Sequence, residues 1–323
     1  MKNKFTILII ILGMILLTAC GKAGDEKSST PEANQSPQDA PSGQEFNIGI
    51  LPAESAIPII IAKENGYFEE AGVKVNIKAF ASPGDRNVAV QAKELDAAIG
   101  DVMTGASFVD RGIPMKITSD IAEDFKILSS PASGITTMEG LSGKRISLVP
   151  NFILEYIMDQ FAKENEFTYE IVEIPSFAGR TEALMSNQID GVVYTEPQAG
   201  MLVKQGAHLL GSSKDAGIKG GTLLFTEDMV ANRSGDIKAF YHGYNKAVDY
   251  MNETDVKEYS DILTKYQFPE SISDYLSGMY GDFQHAGIIE KDQFDNIIQW
   301  TKEKGQISKV YSYEELTDFT YIQ

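Results

Sequence analysis

The chain has 323 residues, 43% of them apolar, which is enough to bury a large core in one or two domains. A formal charge of −18 repels polyanions, so nucleic acid and anionic lipid surfaces are excluded as electrostatic partners. The single cysteine excludes an internal disulfide framework and any cysteine cluster for zinc or iron–sulfur.

The chain opens on "MKNK", followed by a run from Phe5 to Leu17 that is apolar apart from Thr6 and Gly13. A basic start, a short apolar stretch and small residues before Cys20 describe an export signal, and the run is too short to span a membrane comfortably. "LTAC" resembles the bacterial lipobox. That match implies cleavage after residue 19 and lipid attachment to Cys20, which would tether the chain to the extracytoplasmic face of the cell membrane. Residues 20–45 are rich in Pro, Ser, Gly, Gln and charge, and read as a disordered leash.

From Phe46 the texture changes. "FNIGIL" reads as a strand, "IPIIIAKENGYFEEAG" as a helix closing at Gly72, and "KVNIKAF" as a strand. "DRNVAVQAKELD" is an amphipathic helix, "AAIGD" a short buried strand and "VMTGASFVDRG" a further helix. The run then recurs: strand "KRISLVP", helix "NFILEYIMDQFAKENEF", strand "YEIVEIP", helix "AGRTEALMSNQID", strand "GVVYTEP". Strands and helices alternating at this spacing predict parallel βαβ units. At an offset of 94, Ser82 matches Ser176, Arg86 matches Arg180, Ala89 matches Ala183 and Asp96 matches Asp190. Two α/β lobes of similar topology place a ligand cleft between them. After "GGTLLFT" the pattern turns helical, ending with a capping box at Ser312 and Glu315. This tail is expected to return to the first lobe. The expected division is signal peptide 1–19, linker 20–45, first lobe 46–140 plus 221–323, and second lobe 141–220.

The segments "IPIIIAKENGYFEEAGVKV", "ELDAAIGD", "GLSGKRISL", "GRTEALMSNQIDGVVYTEP" and "IIQWTKEKG" together resemble the type II substrate-binding lipoproteins of ABC importers. The branch is the one handling sulfonates, taurine, nitrate and thiamine pyrimidine precursors. The resemblance implies the type II periplasmic-binding-protein fold and a monomer that captures a small solute by lobe closure. It also implies a transmembrane permease and a cytosolic ATPase as partners, since no P-loop occurs here. No cofactor or metal is implied.

Ligand contacts in that family come from strand-end loops and helix starts. On this chain the candidates are Ser55, Ala56, Ser82, Asp101, Ser133, Asn151, Phe152, Glu155, Tyr156, Tyr194 and Glu196. Each has a plainer reading. Ser55, Asp101 and Asn151 could cap helices, and Phe152 and Tyr156 could be core. Phe152, Glu155 and Tyr156 share a helix face, and an aromatic–carboxylate–aromatic face suits a cationic or heteroaromatic ligand. The carboxylates Glu54, Asp101, Glu155 and Glu196 tilt the reading toward an amine-bearing or nitrogen heterocyclic solute. A sulfonate, taurine or nitrate binder and a ligand-sensing lipoprotein are the alternatives. An enzyme is the rival class, but His208, His242 and His285 are isolated and no nucleophile motif occurs.

Overall fold

In a computed structural model the described residues are 40–269, 271–279 and 281–322. The signal peptide, Cys20 and most of the linker lie outside them. Among the described residues the ten strands are β1 (Glu45–Ile50), β2 (Lys74–Ala79), β3 (Ala97–Asp101), β4 (Met115–Asp120), β5 (Phe125–Ser129), β6 (Arg145–Leu148), β7 (Glu170–Glu173), β8 (Gly191–Thr195), β9 (His208–Ser212) and β10 (Gly221–Thr226). The helices are α1 (Ile57–Glu64), α2 (Tyr67–Glu70), α3 (Pro83–Gln91), α4 (Val102–Asp110), α5 (Ile153–Glu164), α6 (Phe177–Met185), α7 (Gln198–Lys204), α8 (Glu227–Asn232), α9 (Ser234–Glu253), α10 (Ile272–Ser277), α11 (Lys291–Glu303) and α12 (Tyr313–Leu316).

The strands form two five-stranded sheets, ordered β2-β1-β3-β10-β4 and β7-β6-β8-β5-β9. In each sheet the fourth strand is the one that has just crossed from the other lobe, and it runs antiparallel to its neighbours: β10 in the first, β5 in the second. The chain passes between the sheets twice, through residues 121–124 and 213–220. Phe125–Ser129 therefore belongs to the second sheet, so the first lobe ends before residue 125 and not at 140. Register explains why the sequence hid this. β5 follows β4 after four residues and reads as its continuation, although it pairs with β8 and β9.

The helix expected from Ile57 to Gly72 is broken. Gly66 adopts a left-handed φ of 76° that only glycine takes without cost, and it turns α1 into α2. The segment 255–268, expected as a helix, forms two 3-10 stretches, Val256–Glu258 and Ser260–Tyr266. The all-apolar run Ile57–Ala62 is buried on every side between the first sheet and α9. Burying each such aliphatic side chain contributes roughly 1.5–3 kcal/mol.

The tail packs on the first lobe through α9, as expected, and α11 reaches further. Phe294, Ile297 and Ile298 share one apolar cluster with Val102 and Phe108 of the first lobe and Ile153 and Ile157 of the second. The linker does not stay free up to residue 45. Ser42 donates to Asp236 through both its amide and its hydroxyl, at 2.6 Å each, and Arg233 Nη2 donates to the Gln44 carbonyl at 2.8 Å.

Candidate functional site

β1, β3, β6 and β8 point their carboxyl ends at the seam between the lobes, and the loops that leave them meet there. Glu54 donates its amide to the Glu196 carbonyl at 2.9 Å, and Gln198 Nε2 donates to the Pro52 carbonyl at 2.6 Å. Asp101 bridges the lobes from within. One carboxylate oxygen accepts from the Thr104 amide at 2.7 Å, capping α4, and the other accepts from the Ile153 amide at the start of α5 at 3.1 Å. The N-cap expected of Asp101 is therefore present, while Asp101 is absent from the walls of both cavities in the seam.

At this seam, beside both crossovers, lies a cavity of about 720 Å³. Its floor comes from Glu54, Ser55 and Pro58 at the entry to α1. The crossover supplies Ala122, Glu123 and Asp124, the second lobe supplies Lys126 and Glu196, and the tail supplies Tyr275, Met279 and Phe283. Seven acidic residues and three lysines line it. A second interlobe cavity, about 650 Å³, lies at the other end of the seam and touches Ser82, Asn151, Phe152 and Ser176.

The acidic cavity is electrostatically unusual. Burial drives the Glu123 carboxyl up to about 8. The Ser55 hydroxyl donates to it and opposes the shift, and the charges of Glu54 and Asp101 reinforce it. Glu54 is pushed up to about 7, mainly by burial, against the Tyr275 hydroxyl and the Asp124 amide that bond it. Burial also raises Asp101. Burial would lower the Lys126 ammonium, but Glu196 at 3.1 Å and Asp124 at 3.4 Å outweigh it and hold it above its ordinary value. The Tyr275 and Tyr244 hydroxyls are held well above the usual phenol range by burial and by the surrounding carboxylates. At neutral pH two carboxyls of this cavity are poised between donor and anion.

The structure divides the sequence-derived candidates. Ser55 and Glu196 line the acidic cavity, and Ser82, Asn151 and Phe152 line the second. Ala56 is buried and spends its amide on the Ala53 carbonyl at 3.0 Å, so it offers nothing to a ligand. Ser133 lies away from the seam: because β5 runs antiparallel, the loop after it emerges at the pole where β8 begins, and Ser133 bonds the Ser130 carbonyl there. Glu155 turns back to accept from the Asn151 amide at 2.6 Å and pairs with Lys304 of the tail at 2.6 Å. Tyr156 packs edge-on against Trp300 at 5.5 Å, a core contact. Tyr194 is fully buried in the second lobe, donating to the Phe177 carbonyl. The face Phe152–Glu155–Tyr156 therefore does not open into one cleft.

Sequence reasoning passed over Glu123, Asp124 and Lys126. The signal was available in "DIAEDFK", where three acids and a lysine interrupt two apolar runs at a chain crossing. Tyr275 and Phe283 carried no signal, because only the fold returns the tail to the seam. Among the described residues no group of three or more His, Cys, Asp and Glu is arranged to hold a metal ion, and no helix is long and apolar enough to cross a membrane.

Comparison with known proteins agrees with this architecture. A protein of Bacillus subtilis (strain 168) whose name gives aliphatic sulfonates as its ligand is 25% identical over 341 residues, covering 99% of this chain and 90% of that protein. A segment covering 33% of this chain is 29% identical to 32% of the Saccharomyces cerevisiae 4-amino-5-hydroxymethyl-2-methylpyrimidine phosphate synthase THI11. The crystal structure of the ligand-binding component of an ABC-type import system from Staphylococcus aureus superimposes with a TM-score of 0.72 at 15% identity, covering 86% of this chain and 98% of that one. The profile of the NMT1/THI5 like family matches residues 54–256. With its two lobes and interlobe seam, this chain belongs to the NMT1/THI5-like family.

Proposed function

We propose that the chain is the extracytoplasmic solute-binding component of an ABC importer, anchored through a lipid on Cys20 and delivering its solute to a permease and ATPase. The family and the two-lobed fold support the importer role. The sequence around Cys20 supports the anchor. The solute in this reading is a small amine or nitrogen heterocycle, such as a pyrimidine precursor, held in the acidic cavity.

The observation that carries the choice of solute is the pair Glu54 and Glu123. Two carboxyls in the wall of one ligand-sized cavity are costly to ionise, chiefly because burial strips them of water, and neighbouring acids add to that cost. A cation entering the cavity adds positive charge beside carboxyls that burial has stripped of water, and an aminopyrimidine offers both a donor and an acceptor to a carboxyl in either state. Tyr275 and Phe283 supply aromatic surface beside them. The segment shared with a pyrimidine phosphate synthase agrees with that solute. In this reading the protein binds without turning its solute over.

A second reading, an aliphatic sulfonate or similar anion, draws on the Bacillus relative and on Lys126, Lys214 and Lys219 in the cavity wall. Calorimetry separates the two. The domain from residue 40, purified without refolding, is titrated with 4-amino-5-aminomethyl-2-methylpyrimidine and with an alkanesulfonate, each at about pH 6 and pH 8.5. The amine is expected to bind more tightly at the higher pH, where Glu54 and Glu123 ionise. Binding of the sulfonate alone, tightening as the pH falls, overturns the choice of solute and leaves the importer role standing.

A further inference from the structure

The acidic cavity shares part of its wall with a second opening. Lys126, Glu196, Tyr275 and Met279 also line a groove of about 380 Å³ between α7 of the second lobe and α10 of the tail. Those four residues form the junction. Lys126 pairs with Glu196 there at 3.1 Å, and the Tyr275 hydroxyl is bonded to Glu54 on the cavity side. Gly200 and Met201 on α7 and Gly278 after α10 add to the groove's wall. The two helices meet at its rim. Lys204 Nζ lies 3.3 Å from Asp274 Oδ2, both more than half exposed, and Ser271 Oγ donates to Met201 Sδ at 3.7 Å.

The two chambers differ in chemistry. Seven acidic residues and three lysines line the cavity, whereas the groove's two lysines face two acids, each already paired. The groove therefore offers a solute no net charge. It offers instead Met201 and Met279, whose polarisable thioethers adapt to a flat apolar group, and the Tyr275 ring. Size points the same way. Cavities of about 300–1,000 Å³ enclose ligands of drug size. The acidic cavity alone reaches about 720 Å³, so one small ring leaves space in it.

We propose that the bound solute has two unlike parts. A cationic or nitrogen heterocyclic head sits in the acidic cavity, and an apolar or aromatic second group lies in the groove between α7 and α10. This rests on the amine-type solute proposed above, and it makes Met201 a residue that sets specificity without touching the head.

The test is calorimetry on the domain from residue 40, which contains every element described, at about pH 8.5. It uses a matched pair, 4-amino-5-aminomethyl-2-methylpyrimidine and its N-benzyl derivative. The benzyl compound is expected to bind about tenfold more tightly, as burial of most of one aromatic ring provides. Its heat capacity change on binding is expected to be the more negative, which marks apolar burial. Met201→Gln keeps the length of the side chain and removes an apolar wall. It is expected to leave the affinity of the single-ring compound unchanged, which also reports that the variant is folded, and to cut the benzyl gain to about threefold or less. Binding of the single ring without a benzyl gain, or a gain that Met201→Gln leaves intact, overturns the groove assignment and leaves the amine reading standing. Binding of neither compound overturns the amine reading and the groove assignment with it.

Discussion

Glu123 and Glu155 are both buried carboxylates near the seam, and the structure assigns them different work. Glu123 has a hydroxyl partner, two acidic neighbours and the charge of Arg86, and burial outweighs the help from Arg86 and Ser55. Glu123→Gln keeps the volume and a hydrogen-bonding group while removing the charge. It should weaken binding of a cationic solute by about tenfold or more, the loss of one charge-assisted hydrogen bond, read by calorimetry. Glu155 is met by Lys304 at 2.6 Å and by the Asn151 amide, and Lys304 also holds Asp159 at 2.8 Å. Glu155→Ala should leave affinity within about twofold and lower stability by about 1–3 kcal/mol in chemical unfolding, because it removes a buried carboxylate that pairs with Lys304 and accepts from the Asn151 amide. A large affinity loss in Glu155→Ala with unchanged stability would return that residue to the site.

Single elements show how the seam is held. Helix α11 touches both lobes, and Trp300 is its anchor: the ring packs on Tyr156 and Nε1 donates to Asp159 at 2.9 Å. Trp300→Ala should cost about 3–5 kcal/mol, seen as a lower denaturant midpoint. Strand β1 is held at its entrance by Asp236, which accepts from Ser42 twice and from Arg233 Nε at 2.6 Å. Asp236→Ala should free the residues before β1 for limited proteolysis while the fold persists. Most elements were legible in the sequence, because "FNIGIL", "AAIGD" and "GVVYT" are short apolar runs bounded by turns, and "NFILEYIMDQFAKE" has helical period. The strands β4, β5 and β9 were not. "MKITSD", "FKILS" and "HLLGS" are short and half polar, and their β character comes from pairing with partners up to 111 residues away, as Met115 with Thr226.

For the whole molecule the buried acids set a pH response. Glu54 and Glu123 move from 4.5 to about 7 and about 8 on folding, so the folded state binds their protons more tightly than the unfolded chain does. Their contribution is complete below about pH 4.5 and is lost as the pH rises through 7 and 8. The ligand-free protein should therefore melt at progressively lower temperature from about pH 5 to about pH 9, and Glu123→Gln should flatten that slope. A melting temperature that is level or rises across this interval would mean that both carboxyls ionise freely in the folded protein.

The two-lobed α/β architecture, the repeat and the helical tail were determined by local pattern, since hydrophobic periodicity is a property of neighbouring residues and survives without knowledge of the fold. The candidates at helix starts, Ser55, Ser82 and Asp101, were found by the same logic, because β-strand ends must turn and cap. Tertiary structure alone decided which lobe owns residues 125–129, that Glu155 and Tyr156 serve packing, and that Ser133 lies at the far pole. It alone brought Glu123 and Tyr275 beside Glu54. The reason is physical: whether a carboxylate is solvated, paired or left without a counter-charge depends on groups distant in the chain, and only the folded chain brings them within reach.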